Sequence, residues 1–130
     1  MVTEKTTPKI AYFCMEIALD PAIPSYGGGL GILAGDMLRS AADLELPMVA
    51  ISLAYRNGYF RQRLDLEGNQ VEEPDPWQPE TVLPSVEVAF TVRIEDRDVH
   101  VHAWRYSVHG LSGFIVPVYL LDTDLPENSD

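Results

Sequence analysis

The stretch Ser25-Tyr26-Gly27-Gly28-Gly29-Leu30-Gly31-Ile32-Leu33-Ala34-Gly35-Asp36 constrains this chain most, because a glycine cluster runs there without a break into an amphipathic pattern. It reads as a loop feeding a helix. Glycines admit left-handed or otherwise strained backbone and let N–H groups approach a ligand with no Cβ in the way. The first turn of the helix adds unpaired N–H groups and the positive end of the helix dipole. Together these make a site for a phosphate or another anion. The competing reading is a tight strand-to-helix turn that needs glycine for backbone geometry alone.

The flanks place that turn. Lys9–Cys14 is a short apolar run of the kind expected of a central parallel strand buried on both faces. Met15–Tyr26 contains Pro21 and Pro24 and reads as a loop crossing the strand's C-terminal edge. Glu16 stands where that edge begins, either facing a ligand crevice or bonding to loop amides. From Leu30 the apolar residues Leu30, Leu33, Ala34, Met37, Leu38, Ala41 and Leu44 follow the spacing of one helix face. Asp36, Arg39, Ser40 and Asp43 take the other face, with Arg39 and Asp43 as a solvated i,i+4 pair. Pro47 ends the helix, and Met48–Leu53 reads as a second buried strand. Strand, helix and strand make a right-handed βαβ unit, whose ligands bind beyond the C-terminal strand ends, where the glycine loop lies.

Beyond it the pattern is β. Asn57-Gly58 predicts a hairpin between Ala50–Arg56 and Tyr59–Leu64, and Glu67-Gly68-Asn69 a further turn. Val71–Pro79, with Pro74, Pro76 and Pro79, reads as an extended surface loop whose Glu72, Glu73 and Asp75 are solvated carboxylates. Trp77 is either a stacking platform for a sugar or a lid on the core. Val86–Ile94, Val99–Trp104 and Gly113–Leu121 form a β-meander with turns at Glu95–Asp98 and Val108–Ser112. His100 and His102 share one face of a strand, but no further ligand of recognisable spacing accompanies them, so a solvent-facing strand is expected there and no metal site. Asp122–Asp130 is acidic, without a core signal, and reads as a cut connector.

Composition narrows the partners. At 130 residues and 46% apolar content, residues 1–130 suit one α/β domain with a real core. A formal charge of −11 argues against nucleic acid and anionic membrane surfaces as partners. The lone Cys14 lies in an apolar run and reads as a core thiol. Met1–Lys5 shows no secretory signal or membrane span, so the cytoplasm is the expected location.

Gly29-x-Gly31-x-x-Ala34 matches a relaxed dinucleotide fingerprint, yet that fingerprint should follow its strand directly and be answered by an acid about twenty residues on. Neither condition holds, since a long loop separates Cys14 from Gly27 and no Asp or Glu occurs from Leu46 to Leu64. A P-loop is excluded because no Gly-Lys-Ser/Thr follows.

Four ordered motifs carry a more specific likeness. Tyr12-Phe13-Cys14-Met15-Glu16, the Gly27–Ala34 loop, Tyr55-Arg56-Asn57-Gly58-Tyr59-Phe60-Arg61-Gln62 and Val71-Glu72-Glu73-Pro74-Asp75-Pro76-Trp77 resemble, in order and spacing, the N-terminal region of α-glucan (glycogen, starch or maltodextrin) phosphorylases, the compact prokaryotic branch above all. Thr81-Val82-Leu83-Pro84 and the strands through Val116-Pro117-Val118-Tyr119 continue the match over nearly the whole chain. The resemblance implies the N-terminal part of a two-domain GT-B (Rossmann-like) glycosyltransferase. Such an enzyme cleaves terminal α-1,4-glucosidic bonds with inorganic phosphate to give glucose 1-phosphate, using the phosphate group of pyridoxal phosphate. Gly28 and Gly29 fall on the loop whose backbone approaches the phosphates, and Leu30 on the position lining the glucosyl pocket. Gly27 and Gly31 complete that loop, with Glu16, Tyr55 and Trp77 as further candidates.

No catalytic residue is assigned in this chain. The family's Schiff-base lysine and phosphate-holding basic residues belong to a C-terminal domain, and the lysines here are Lys5 and Lys9, neither in a cofactor motif. The chain alone is therefore expected to be inactive, with that domain, an α-1,4-glucan and phosphate as partners and a homo-oligomer left open. The alternatives are a glucan synthase of the same fold class, disfavoured because Ser25-Tyr26 stands where a Lys-Thr or Lys-Val precedes such glycines, and a non-catalytic sugar- or phosphate-binding module.

Overall fold

A computed structural model of the chain describes residues 9–57 and 59–128; the N-terminal stretch, Gly58 and residues 129–130 lie outside the described residues. In chain order it comprises β1 (Ile10–Phe13), α1 (Gly29–Asp43), β2 (Met48–Leu53), β3 (Phe60–Leu64), β4 (Gln70–Pro74), a single turn α2 (Pro79–Val82), β5 (Ser85–Ile94), β6 (Arg97–His109) and β7 (Ile115–Asp122). A 3-10 turn at Pro126–Asn128 follows.

The main sheet has the order β1-β2-β7-β6-β5, and β3-β4 form a separate two-stranded ribbon. β1 and β2 are parallel neighbours with α1 between them in sequence, Ile10 facing Met48 and Phe13 facing Ile51. β7 joins β2 in parallel, Ala50 against Val118 and Leu53 against Leu121. β5, β6 and β7 form the expected antiparallel meander. β6 reaches His109, so Val108 is in the strand and its turn is Gly110–Phe114, closed by the Gly110 amide on the Phe114 carbonyl (2.8 Å).

Three expectations about the strands are corrected. β1 is an edge strand, with Phe13 70% exposed, because β7 and not a further strand beside β1 completes the sheet around β2. The Asn57-Gly58 hairpin does not form between the expected strands, since β2 is already paired on both sides and β3 pairs with β4. Gly58 itself lies outside the described residues. Of the loop expected over Val71–Pro79, residues 71–74 instead belong to strand β4, an exposed one in the ribbon, which is compatible with Pro74 at its end.

The helix stands where its periodicity puts it, but it is rotated. Its buried residues are Gly31, Ala34, Gly35, Leu38, Ala41 and Ala42, whereas Leu33 is 64% and Leu44 70% exposed, and Met37 is exposed too. Small residues explain the rotation, because they let the helix approach backbone. A Cβ on Gly35 would meet the Ala18 carbonyl at 2.2 Å, and one on Gly110 the Ala42 carbonyl at 2.3 Å. α1 lies over β6 and β7 more than over β1 and β2. It ends before Pro47 in a Schellman motif, with the Leu46 amide on the Ala41 carbonyl (2.9 Å), the Glu45 amide on that of Ala42 (3.1 Å) and Glu45 left-handed at φ 54°.

The loop between β1 and α1 is part of the core. Ile17, Leu19 and Ile23 are buried with Leu38, Val116, Val118 and Leu120. Ser25 closes it, its hydroxyl donating to the Ile17 carbonyl (2.6 Å) while the Ile17 amide donates to the Ser25 carbonyl (3.1 Å). Arg39 pins the same loop by donating to the carbonyls of Ala18 and Leu19 (both 3.1 Å). Its ion pair is with Asp36 (3.3 Å) and not Asp43, which instead accepts from the Leu111 amide (2.8 Å).

Candidate functional site

The carboxyl ends of the parallel strands β1, β2 and β7 define one edge of the sheet. β1 leads into Cys14, Glu16 and then the glycine turn, β2 into Tyr55 and Arg56, and β7 ends on Asp122. Strands present the residues just beyond their carboxyl ends to whatever binds there.

Glu16 serves the turn. Its Oε2 accepts the Gly27 amide at 3.0 Å, and Cys14 Sγ donates to the Glu16 carbonyl at 3.0 Å. The helix begins at Gly29 with Gly28 as its N-cap, extended at φ −168°. Ile32 is the first amide to bond back, to the Gly28 carbonyl at 3.3 Å. Among the described residues no acceptor meets the amides of Gly29, Leu30 and Gly31, the donors that every helix start leaves unpaired. No side chain accepts from the first-turn amides, although the Glu16 carboxylate, on the Gly27 amide and 3.2 Å from where a Gly31 Cβ would stand, already places a negative charge beside the helix start.

The glycines of the turn divide into two kinds. A Cβ on Gly31 would meet Tyr26 Cβ at 2.3 Å and Glu16 Oε2 at 3.2 Å, so packing forbids a side chain there. At Gly28 and Gly29 a Cβ would meet nothing within 4 Å. The left-handed backbone anticipated for this cluster is absent, since the described glycines with positive φ are Gly68 and Gly113, both in hairpin turns. Gly28 and Gly29 are thus glycines that neither backbone strain nor internal packing requires. Leu30, beside them, projects into solvent.

Tyr55 and Trp77 belong to the neighbouring wall. Trp77 is half-buried against the core and donates from Nε1 to the Tyr55 carbonyl (2.5 Å), so it lids the core instead of standing off as a stacking platform. The Tyr55 ring meets Tyr59 edge-on, centroids 6.1 Å apart. Burial first, then the Glu16 charge and Tyr55, raises the Tyr59 hydroxyl above the ordinary tyrosine range. Glu73 and Asp75 pair with Arg63 (2.8 Å) and Arg61 (2.5 Å) along the exposed ribbon. His102 packs edge-on against Trp104 at 4.7 Å and is half-buried, which corrects the solvent-facing expectation for it, and His100 is exposed.

What the sequence reading missed is a charge cluster at the end of β7, within a segment expected to be mere connector. Asp122 is 0% exposed, and its Oδ2 accepts from Arg56 Nη2 (2.7 Å), Arg56 Nε (3.0 Å) and Trp104 Nε1 (2.9 Å). Its Oδ1 accepts the Asp124 amide at 3.0 Å, and Arg56 also reaches Glu80 at 2.6 Å. Burial alone would raise the Asp122 carboxyl, but these hydrogen bonds outweigh it and hold the group below the usual carboxylate range. The signal available in sequence was a carboxylate closing the apolar run Gly113–Leu121.

Comparison with known proteins places this edge in a family. The carbohydrate phosphorylase family matches residues 14–110. The chain is 42% identical to the maltodextrin phosphorylase of Thermococcus litoralis, over 92% of this chain and 15% of that protein. It is 41% identical to the glycogen phosphorylase of Mycobacterium tuberculosis, over 92% of this chain and 14% of that one. A glycogen phosphorylase of Aquifex aeolicus is similar at 30% identity, over 92% of the chain and 18% of its own length. The chain thus spans about one-seventh of the length of the first two relatives. Since the matched stretch runs from the end of β1 through the glycine turn and the Tyr55–Arg56 loop to the end of β6, the chain belongs to the carbohydrate phosphorylase family.

Proposed function

We propose that this chain is the glycine-turn wall of an α-glucan phosphorylase, the N-terminal part of a two-domain GT-B enzyme that releases glucose 1-phosphate from a terminal α-1,4-glucosidic bond and inorganic phosphate. The observation that carries the reading is the open space over Gly28 and Gly29, beside the unpaired amides of Gly29, Leu30 and Gly31. Side chains are missing there for no reason internal to the chain, and backbone donors at a helix start suit an anion. In a chain of net charge −11, with the Glu16 carboxylate already on the Gly27 amide, these donors are what the turn itself offers an anion. Leu30 then lines the glucosyl pocket, while Glu16, Tyr55 and Trp77 shape the turn and its neighbouring wall. Cytoplasmic location belongs to the same reading, and no described helix is long and apolar enough to cross a membrane.

Pyridoxal phosphate comes with the family resemblance, and its Schiff-base lysine is read as lying elsewhere, since Lys5 and Lys9 stand in no cofactor motif. Lys9 directly precedes β1, its amide on the Pro47 carbonyl (2.8 Å), at the end of that strand opposite the glycine turn. The other lysine, Lys5, lies outside the described residues. The cofactor and the basic residues around the phosphate are accordingly assigned to another part of the enzyme, and this chain's share is to present amides and exclude bulk.

The test is incubation of the complete polypeptide with maltodextrin and inorganic phosphate. Release of glucose 1-phosphate is expected, and this chain alone should release none and show no borohydride-reducible absorbance. Glucan elongation that depends on a nucleotide sugar would overturn the reading in favour of a synthase. Glucan or phosphate binding without turnover by the complete polypeptide would favour a non-catalytic module.

A further inference from the structure

The Asp122 cluster is connected to the glycine turn by a continuous set of contacts. Asp122 fixes Arg56 through two hydrogen bonds, and Glu80 holds the same guanidinium from α2. The next residue back, Tyr55, has its carbonyl held by Trp77, and its ring meets Tyr59. The Tyr59 ring lies against the turn, since a Cβ on Gly27 would be 3.6 Å from Tyr59 Cε1. From the other side Glu16 takes the Gly27 amide. The turn is therefore gripped between the end of β1 and the loop that leaves β2.

A buried carboxylate is a costly way to end a strand, since an apolar residue there is often as stable or more so. A charge held by a planar guanidinium fork adds direction. It fixes where the chain leaves β2, which an apolar contact would leave free to slide. We infer that Asp122 is a positioning residue for the glycine turn, acting through Arg56 and the Tyr55–Tyr59 pair. The inference rests on the reading of Gly28–Gly31 as the phosphate-facing turn.

Asp122→Asn tests it, because the amide retains shape and an acceptor for Trp104 while removing the charge that holds Arg56. In the complete polypeptide with a ring label placed at Tyr59 alone, its phenol is expected to titrate back towards the ordinary tyrosine range relative to the equally labelled parent. The Gly27 amide should exchange with solvent about tenfold faster or more, as expected of a local opening. Val116→Ala, at the far end of β7, destabilises the same strand and should move neither signal in the folded population. If Asp122→Asn does not fold, Glu80→Gln removes the outer partner of Arg56 and should shift both signals the same way by less. Unchanged Tyr59 and Gly27 signals in the folded variant, or an equal response to Val116→Ala, overturn the inference. Phosphate KM in the complete polypeptide separates it from the reading on which it rests. If the two signals move and KM does not, the positioning stands and the phosphate-facing assignment falls. If the signals do not move, the positioning falls whatever the kinetics show.

Discussion

Gly28 and Gly29 stand at the mouth of α1, and Gly31 and Gly35 lie on its inner side. For the inner pair an added Cβ would run into Tyr26 Cβ at 2.3 Å and the Ala18 carbonyl at 2.2 Å. For the outer pair it would meet nothing within 4 Å. The inner glycines exist so that the helix can seat on the loop after β1, and the outer glycines have no such internal need. One residue type thus stands in two settings, one where packing within the chain forbids a side chain and one where nothing within the chain does.

The strongest attempt to break this contrast is Gly29→Val in the complete enzyme. Loss of preorganised donors at a site of developing charge costs about 10²–10³ in turnover, so kcat/KM should fall by that order. Because Gly29 is not left-handed, stability should change by less than about 1 kcal/mol. Near-normal activity per folded molecule would remove Gly29 from the site. The mirror experiment is Gly35→Val, where the clash is with backbone that cannot swing away. It should cost about 3 kcal/mol, a fall of roughly 10 °C in the thermal midpoint of a domain this size, with activity per folded molecule retained.

Acid sharpens the contrast from a third direction. The Asp122 carboxyl is held below its unfolded value, so its contribution to stability is complete above about pH 4 and is lost as pH falls through the lower folded value. Thermal midpoints measured down to pH 2 should therefore fall more steeply for the parent chain than for Asp122→Asn, and equal slopes would deny the carboxylate that role. The smallest effect is reserved for Gly28→Ala. Its extended backbone suits any residue, so stability should rise or fall by no more than about 0.5 kcal/mol, as read by urea denaturation.

Local patterns were legible. The spacing of Leu30, Leu33, Ala34, Met37 and Leu38 located α1, and the alternation after Val86 located the meander, because both periods lie within a few residues. What failed was non-local. Asn57-Gly58 has the composition of a hairpin turn, yet β2 had stronger partners in β1 and in β7, which lies far along the chain. The side of α1 that packs was misjudged because hydropathy gives no weight to Gly31 and Gly35, whose smallness lets backbone meet backbone. Ile17, Leu19 and Ile23 were hidden in a proline-marked loop whose interior turned out to be core. At the site, the glycine turn could be read in sequence as a candidate. The Arg56–Asp122 pair could not, since its members are 66 residues apart.

The β3–β4 ribbon stands apart from the main sheet. Every residue of both strands is exposed, and the tip is organised by Asp65, which accepts the amides of Glu67 (2.9 Å) and Asn69 (2.8 Å) around the left-handed Gly68. Nothing in the five-stranded sheet takes its register from that tip. Lengthening the 66–69 segment would add only about 0.6 kcal/mol of closure entropy for each doubling. A short peptide inserted there is therefore expected to leave the register of the five-stranded sheet as it stands.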